Sequence, residues 1–168
     1  KYIAKIYKNR TLKKDYSYKP TVTVMVVAHN EEKVILEKLN NIIGLDYPQD
    51  KIQYLIASDN STDRTNEIVK RFILEHPDKN IRLYEVKERK GKTNAQNEAQ
   101  KTVTTEYLVM TDANSILDKN AVKELMASFT SNDIAYVCGK LEIVNQDASA
   151  VSAAEANYWD RDLAIREI

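Results

Sequence analysis

Asp112 and Asn114 stand one residue apart, just after a short apolar run at 107–110. That spacing aims two oxygen-bearing side chains at one point, as a hard divalent cation requires. Arg89 and Lys92 place positive charge in a polar stretch at 87–92. A diphosphate carries more negative charge than one divalent ion neutralises, so a basic residue opposite the metal is its expected complement. Two more polar stretches follow apolar runs in the same way. Ala28-His29-Asn30-Glu31-Glu32 follows the run from Val22, and Ser58-Asp59-Asn60-Ser61-Thr62-Asp63 follows the run from Gln53. Taken singly, these residues have plainer roles. Asn30, Asp59 and Ser61 suit helix caps. Asp112 suits a cap or turn, Lys90 and Lys92 a solvated charge run, and His29 a hydrogen-bonded loop position. Four stretches carry such residues in succession, and that convergence points to a site.

The elements between them must bring them together. Val22, Val24, Val26 and Val27 read as a buried β-branched strand, and 53–58 as a second. Ile81, Leu83 and Val86 mark a third, and 107–110 a fourth that reads as fully buried. Val34, Ile35, Lys38 (by its stem), Leu39, Ile42 and Ile43 share a helical face, capped by Asn30 and stopped by Gly44. Ser61 or Thr62 caps a second helix with Ile68, Val69, Phe72 and Ile73 inward. Further helices are expected at 91–101, 119–129 and 151–168, and a strand or hairpin at 134–144. Alternating strands and helices imply right-handed crossovers and a mostly parallel α/β sheet. In such sheets ligands gather at the carboxyl ends of the strands, where all four polar stretches fall.

The 168 residues predict one domain, and a hydrophobic fraction of 43% is enough to close a core. Cys138 is the single cysteine, expected as a small core residue, so no internal disulfide and no multi-cysteine zinc site is possible. No Gly-x-Gly-x-x-Gly and no Gly-x-x-x-x-Gly-Lys-Ser/Thr occurs, which disfavours dinucleotide dehydrogenases and P-loop enzymes. The net charge of zero hides a basic leader, with seven basic residues and one acid before Pro20. That segment is too local for nucleic-acid binding by the body of the protein. It reads as a solvated leader or as a stretch lying on an anionic membrane face after a spanning helix. The chain begins with Lys, so upstream residues are expected. Residues 1–19 are assigned to the leader and 20–168 to a binding domain.

From Pro20 to about Val144 the chain resembles a family 2 glycosyltransferase with the GT-A fold. The stretch Pro20 to Glu32 resembles that family's first strand and loop, with His29 where tyrosine is usual. Ser58-Asp59-Asn60-Ser61-Thr62-Asp63-Arg64-Thr65 is similar to its Asp-Asp-Gly-Ser-Thr-Asp-Gly-Thr stretch. Gly91-Lys92-Thr93-Asn94-Ala95-Gln96-Asn97 resembles its Gly-Lys-x-x-Ala-Leu-Asn helix start, and Asp112-Ala113-Asn114 stands where its metal-binding Asp-x-Asp lies. The resemblance implies an α/β three-layer sandwich with a mostly parallel central sheet. It implies a nucleotide-sugar donor, commonly a UDP-sugar, a saccharide or other acceptor, and Mg²⁺ or Mn²⁺. Ala28, His29, Asn30 and Glu31 would line the nucleoside pocket. Asp59 and Asn60 would face the nucleotide, Lys92 the uracil or diphosphate, and Asp112 the ribose or metal. Asn114 would take the metal-facing position. The leader resembles the cytosolic approach from the membrane in hyaluronan, chitin and poly-N-acetylglucosamine synthases, which places the domain on the cytoplasmic side of the cell membrane.

Three departures shape the expectation. Asn114 replaces an aspartate, and a neutral amide is a weaker ligand. Asn60 is read as replacing the second acid of the Asp-Asp pair. No acidic base motif is found, so the base is expected downstream of Ile168; Asp147, Glu155, Asp160 and Asp162 lack its context. The fragment is therefore expected to bind donor weakly and transfer little. The competing readings are a metal-dependent nucleotidyltransferase and a non-catalytic nucleotide-binding module. The first usually opens with a glycine-rich loop, and 28–31 has no glycine.

Overall fold

The computed structural model describes residues 13–131 and 133–139. Its elements alternate: β1 (Val22–Ala28), α1 (Ile35–Ile43), β2 (Ile52–Ser58), α2 (Thr65–Glu75), β3 (Ile81–Glu85), α3 (Lys92–Gln100), β4 (Tyr107–Asp112) and α4 (Ala121–Ala127). The strands pair in parallel in the order β3-β2-β1-β4. The expected α/β parallel architecture is therefore present.

β1 is buried at all seven positions. Its Val, Met and Ala side chains, interrupted only by the buried Thr23, mark a strand covered on both faces. Handedness decides which helix covers which face. The chain steps from β1 to β2 to β3 in one direction, so right-handed crossovers put α1 and α2 on the same face. It then reverses to reach β4, which puts α3 on the other. One side of the core accordingly joins Met25, Val27, Leu55 and Ala57 to Ala95 and Ala99 of α3, with Val86 beside them. The two alanines are the only buried residues of α3. Small side chains there let the helix backbone lie close to the sheet. On the opposite side, α1 buries Ile35, Leu39 and Ile42, and α2 buries Val69 and Phe72. At the amino end of β1, the Tyr47 hydroxyl donates to the Pro20 carbonyl at 2.7 Å and ties the entry of the strand to the loop before β2.

Residues 15–127 form one compact unit. Lys19 of the basic leader belongs to it, its carbonyl accepting from Lys51 Nζ at 2.7 Å. The described residues 128–139 belong to a second unit and carry no helix or strand.

Several expectations need correction. β4 is not fully buried: among the described strands it is a sheet edge, with Met110 58% exposed. Its apolar run is covered where it meets β1 and open elsewhere. The strand expected at 134–144 is absent over 134–139, which are irregular, and Cys138 there is exposed rather than a core residue. The remainder of that segment, the leader at 1–12, the helix at 151–168 and the late acids lie outside the described residues. No described helix is long and apolar enough to cross a membrane.

The contact between α3 and the sheet yields a prediction. Ala95 is fully buried against Met25 and Leu55 in one cluster. Ala95→Leu is expected to destabilise the protein by about 1–3 kcal/mol through overpacking, measured as a lower urea midpoint at unchanged slope.

Candidate functional site

Register builds the site. Val27 lies opposite Ala57 on one side and Asp112 on the other, and Ala28 lies opposite Ser58. The next pair outward is Ser58 with Glu85. The four strands therefore end at one edge, and the polar stretches behind them come together there.

The loops after β1 and β2 are fastened by a ladder of hydrogen bonds. The Asp59 amide donates to the Ala28 carbonyl at 2.9 Å, and the Asp59 carbonyl lies 2.8 Å from His29 Nδ1. The Asn30 amide donates to Ser61 Oγ at 3.2 Å, and Asn30 Oδ1 accepts from the Thr62 amide at 2.8 Å. The Glu31 amide donates to Thr65 Oγ1 at 2.8 Å and the Glu32 amide to Asp63 Oδ2 at 3.0 Å. Burial works to raise the Asp63 carboxyl, but hydrogen bonds from the Thr65 hydroxyl and amide and from the Glu32 amide outweigh it and hold the group below its usual range.

This ladder corrects the capping expectations. Asn30, Ser61 and Thr62 do not cap helices: α1 begins at Ile35 with no side-chain cap, and Asp63, not Ser61 or Thr62, receives the Thr65 amide at the start of α2. Asn30 and Asn60 instead share a left-handed backbone, with φ of 54° and 52°. Asparagine tolerates that region better than most residues. Aligned residue by residue, Asn60 falls on the glycine of Asp-Asp-Gly-Ser-Thr and Ser58 on its first acid. Asn60 therefore replaces a glycine, not the second acid, which is present as Asp59.

Asp59 is 3% exposed, and its Oδ1 accepts from the Lys90 amide at 3.3 Å. It thereby holds the loop before α3, where Gly91 takes φ 89° and ψ 165°. That backbone region is open essentially to glycine alone. The turn delivers Lys92 to the first position of α3. Its Nζ meets Asp112 Oδ1 at 2.5 Å, both side chains being about half exposed. Asn114 is exposed two residues further on. The Lys90 side chain pairs with Glu88 at 3.2 Å.

Asp112 and Asn114 can supply two oxygen ligands. Among the described residues no group of three or more His, Cys, Asp or Glu is placed to hold a metal ion. That donor set fits a Mg²⁺-type ion held by one or two protein oxygens and completed by substrate phosphates, not an all-protein cage. In this structure the Asp112 carboxylate carries the Lys92 ammonium as its counter-charge.

The sequence model of glycosyl transferase family 2 matches residues 23–165. The chain belongs to that family. It is 32% identical over 128 residues to a probable glycosyltransferase, YdaM, of Bacillus subtilis, covering 75% of this chain and 30% of that one. It is 27% identical over 143 residues to a poly-beta-1,6-N-acetyl-D-glucosamine synthase of Staphylococcus epidermidis, covering 83% and 34%. Among solved structures it resembles a mannosyltransferase of Pyrobaculum calidifontis in complex with GDP-Man and Mn²⁺, with a TM-score of 0.72 and 34% identity over 78% of this chain and 39% of that one. The chain thus spans about a third of the length of the curated relatives it matches. The family's GT-A architecture is the one described above.

One residue at this edge escaped sequence reasoning as a polar group. Lys38, read as lending only its stem to an apolar face, is wholly buried in α1. Its Nζ donates to Thr111 Oγ1 at 2.9 Å and to the Ser115 carbonyl at 2.7 Å. Burial pushes its ammonium down to about 8, with the Asp112 charge acting in the opposite direction. The available signal was a lysine inside the Ile35-Leu39-Ile42 stripe.

The loop ladder is testable through Asn30. Asn30→Gly keeps the left-handed backbone and loses the bond to Thr62, at an expected cost of about 0.5–1.5 kcal/mol. Asn30→Ala adds backbone strain of about 1–2 kcal/mol on top. Chemical denaturation of both variants should return that order.

Proposed function

We propose that this edge is the donor-binding site of a glycosyltransferase. The enzyme passes a sugar from a nucleotide-diphospho-sugar, read here as a UDP-sugar, to a saccharide or other acceptor. The reaction is an inverting displacement at the anomeric carbon. The observation that carries the reading is the meeting of Lys92 with Asp112 beside the Asp59-fastened loops. Ala28, His29, Asn30 and Glu31 line the nucleoside side. Asp59 and Asn60 border the same side. Lys92 exchanges its partner Asp112 for a phosphate oxygen when donor arrives, which places positive charge where negative charge grows on the departing diphosphate. Asp112 and Asn114 are the residues that would hold Mg²⁺ or Mn²⁺. When bound, the ion neutralises phosphate charge.

Donor binding, rather than complete turnover, is the activity assigned to these residues, since none is given the acceptor proton. The basic leader supports working on the cytoplasmic side of a membrane, because seven cations in 19 residues favour an anionic lipid surface. The solved relative named above carries GDP-Man, which makes GDP the competing ligand to test against UDP.

Calorimetric titration of UDP, with GDP in parallel, should show Mn²⁺-dependent binding of one of them. Asp112→Ala should lower that affinity by at least about tenfold without moving the melting temperature. Equal affinity with and without Mn²⁺, or an unaffected Asp112→Ala variant, would point instead to a nucleotide-binding module without metal.

A further inference from the structure

Two lysines reach the end of β4 from opposite faces of the sheet. Neighbouring strand residues point to opposite faces. Asp112, opposite Val27, meets Lys92 of α3. Thr111, opposite Val26, meets Lys38 of α1. The two cations differ in setting. The Lys92 side chain is 55% exposed, whereas Lys38 is fully buried.

A buried ammonium is costly unless it is well bonded, and an apolar side chain of similar volume often serves stability as well or better. The bonds Lys38 makes therefore show what its polarity is for. They go to Thr111 Oγ1 and to the Ser115 carbonyl, with Ser115 Oγ at 3.5 Å. Those residues bracket the turn that carries Asp112 and Asn114. The turn is closed further by Ser115 Oγ, which lies 2.9 Å from Thr111 Oγ1 and donates to the Asp112 carbonyl at 3.0 Å. All these partners are neutral oxygens, so the charge of Lys38 is not cancelled by a contacting carboxylate among the described residues. Lys38 sits behind the turn and Lys92 in front of it.

We propose that Lys38 is a positioning residue for the donor site, holding the 111–115 turn in the shape that lets Asp112 and Asn114 share one metal-diphosphate group. The inference rests on the donor-site reading above. Burial lowers the Lys38 ammonium, and the nearby Asp112 charge partly offsets that effect.

The test compares wild type with Lys38→Met at pH 7, using UDP and GDP as probes with and without Mn²⁺. The readout is the gain in nucleotide affinity that Mn²⁺ confers, together with the thermal melt. Lys38→Met should cut the Mn²⁺-dependent gain about tenfold, the scale for groups that orient metal ligands, while metal-free affinity changes little. Loss of both affinities in equal proportion, or an unchanged gain, overturns the proposal and leaves the donor site standing. A wild-type protein that shows no gain with Mn²⁺ overturns the donor-site reading and this inference with it. Should Lys38→Met melt without a cooperative transition, Thr111→Val decides. It removes one acceptor and keeps the cation, and a reduced gain supports the proposal whereas an unchanged one rejects it.

Discussion

The parallel register around β1 is the constraint on which the site depends. β1 pairs on both sides without a bulge, Val22 to Ala28 against Ile52 to Ser58 and Val22 to Val27 against Tyr107 to Asp112. A slip of one residue on either side would turn Asp112 or Ser58 to the other face of the sheet. The register therefore fixes the heights at which the strands end and their loops begin, and with them the placing of Asn30, Asp59 and Asp112.

What the register brings close, side chains and unusual backbone angles then fasten. Asparagine takes the left-handed positions at 30 and 60, and glycine the one at 91. The chain has only three glycines, so asparagine does turn work that a glycine-richer sequence would give to glycine. At position 30 this has an added effect, because the side chain is also the acceptor for the Thr62 amide. One residue both turns the chain and locks two loops together.

Much of this was legible in the residues. The Val-rich run of β1, the apolar face of α1 and the polar stretches behind each strand set out the parallel sheet and the edge where those stretches meet, because burial on both faces leaves a plain hydrophobic signature. The misjudged features share a cause, which is that tertiary partners outcompete local ones. Asn30, Ser61 and Thr62 have the chemistry of helix caps, yet their hydrogen bonds run between loops. The apolar run of β4 has the composition of a central strand, but composition does not reveal how many neighbours a strand has. Lys38 is hidden most thoroughly, because its position in the helix is apolar while its ammonium is claimed by a turn 73 residues away in sequence.

The edge of β4 is thus a place where charge is arranged ahead of any ligand. Lys92 lies against Asp112 in front, and Lys38 supports the turn from behind. The most direct examination of this account is anomalous diffraction from crystals grown with Mn²⁺ and the nucleoside diphosphate that the protein prefers. The account predicts a manganese peak in direct contact with the Asp112 carboxylate, with the diphosphate on its other side and Lys92 moved onto a phosphate oxygen. A peak elsewhere, or a nucleotide bound away from the carboxyl ends of β1 and β4, would contradict it.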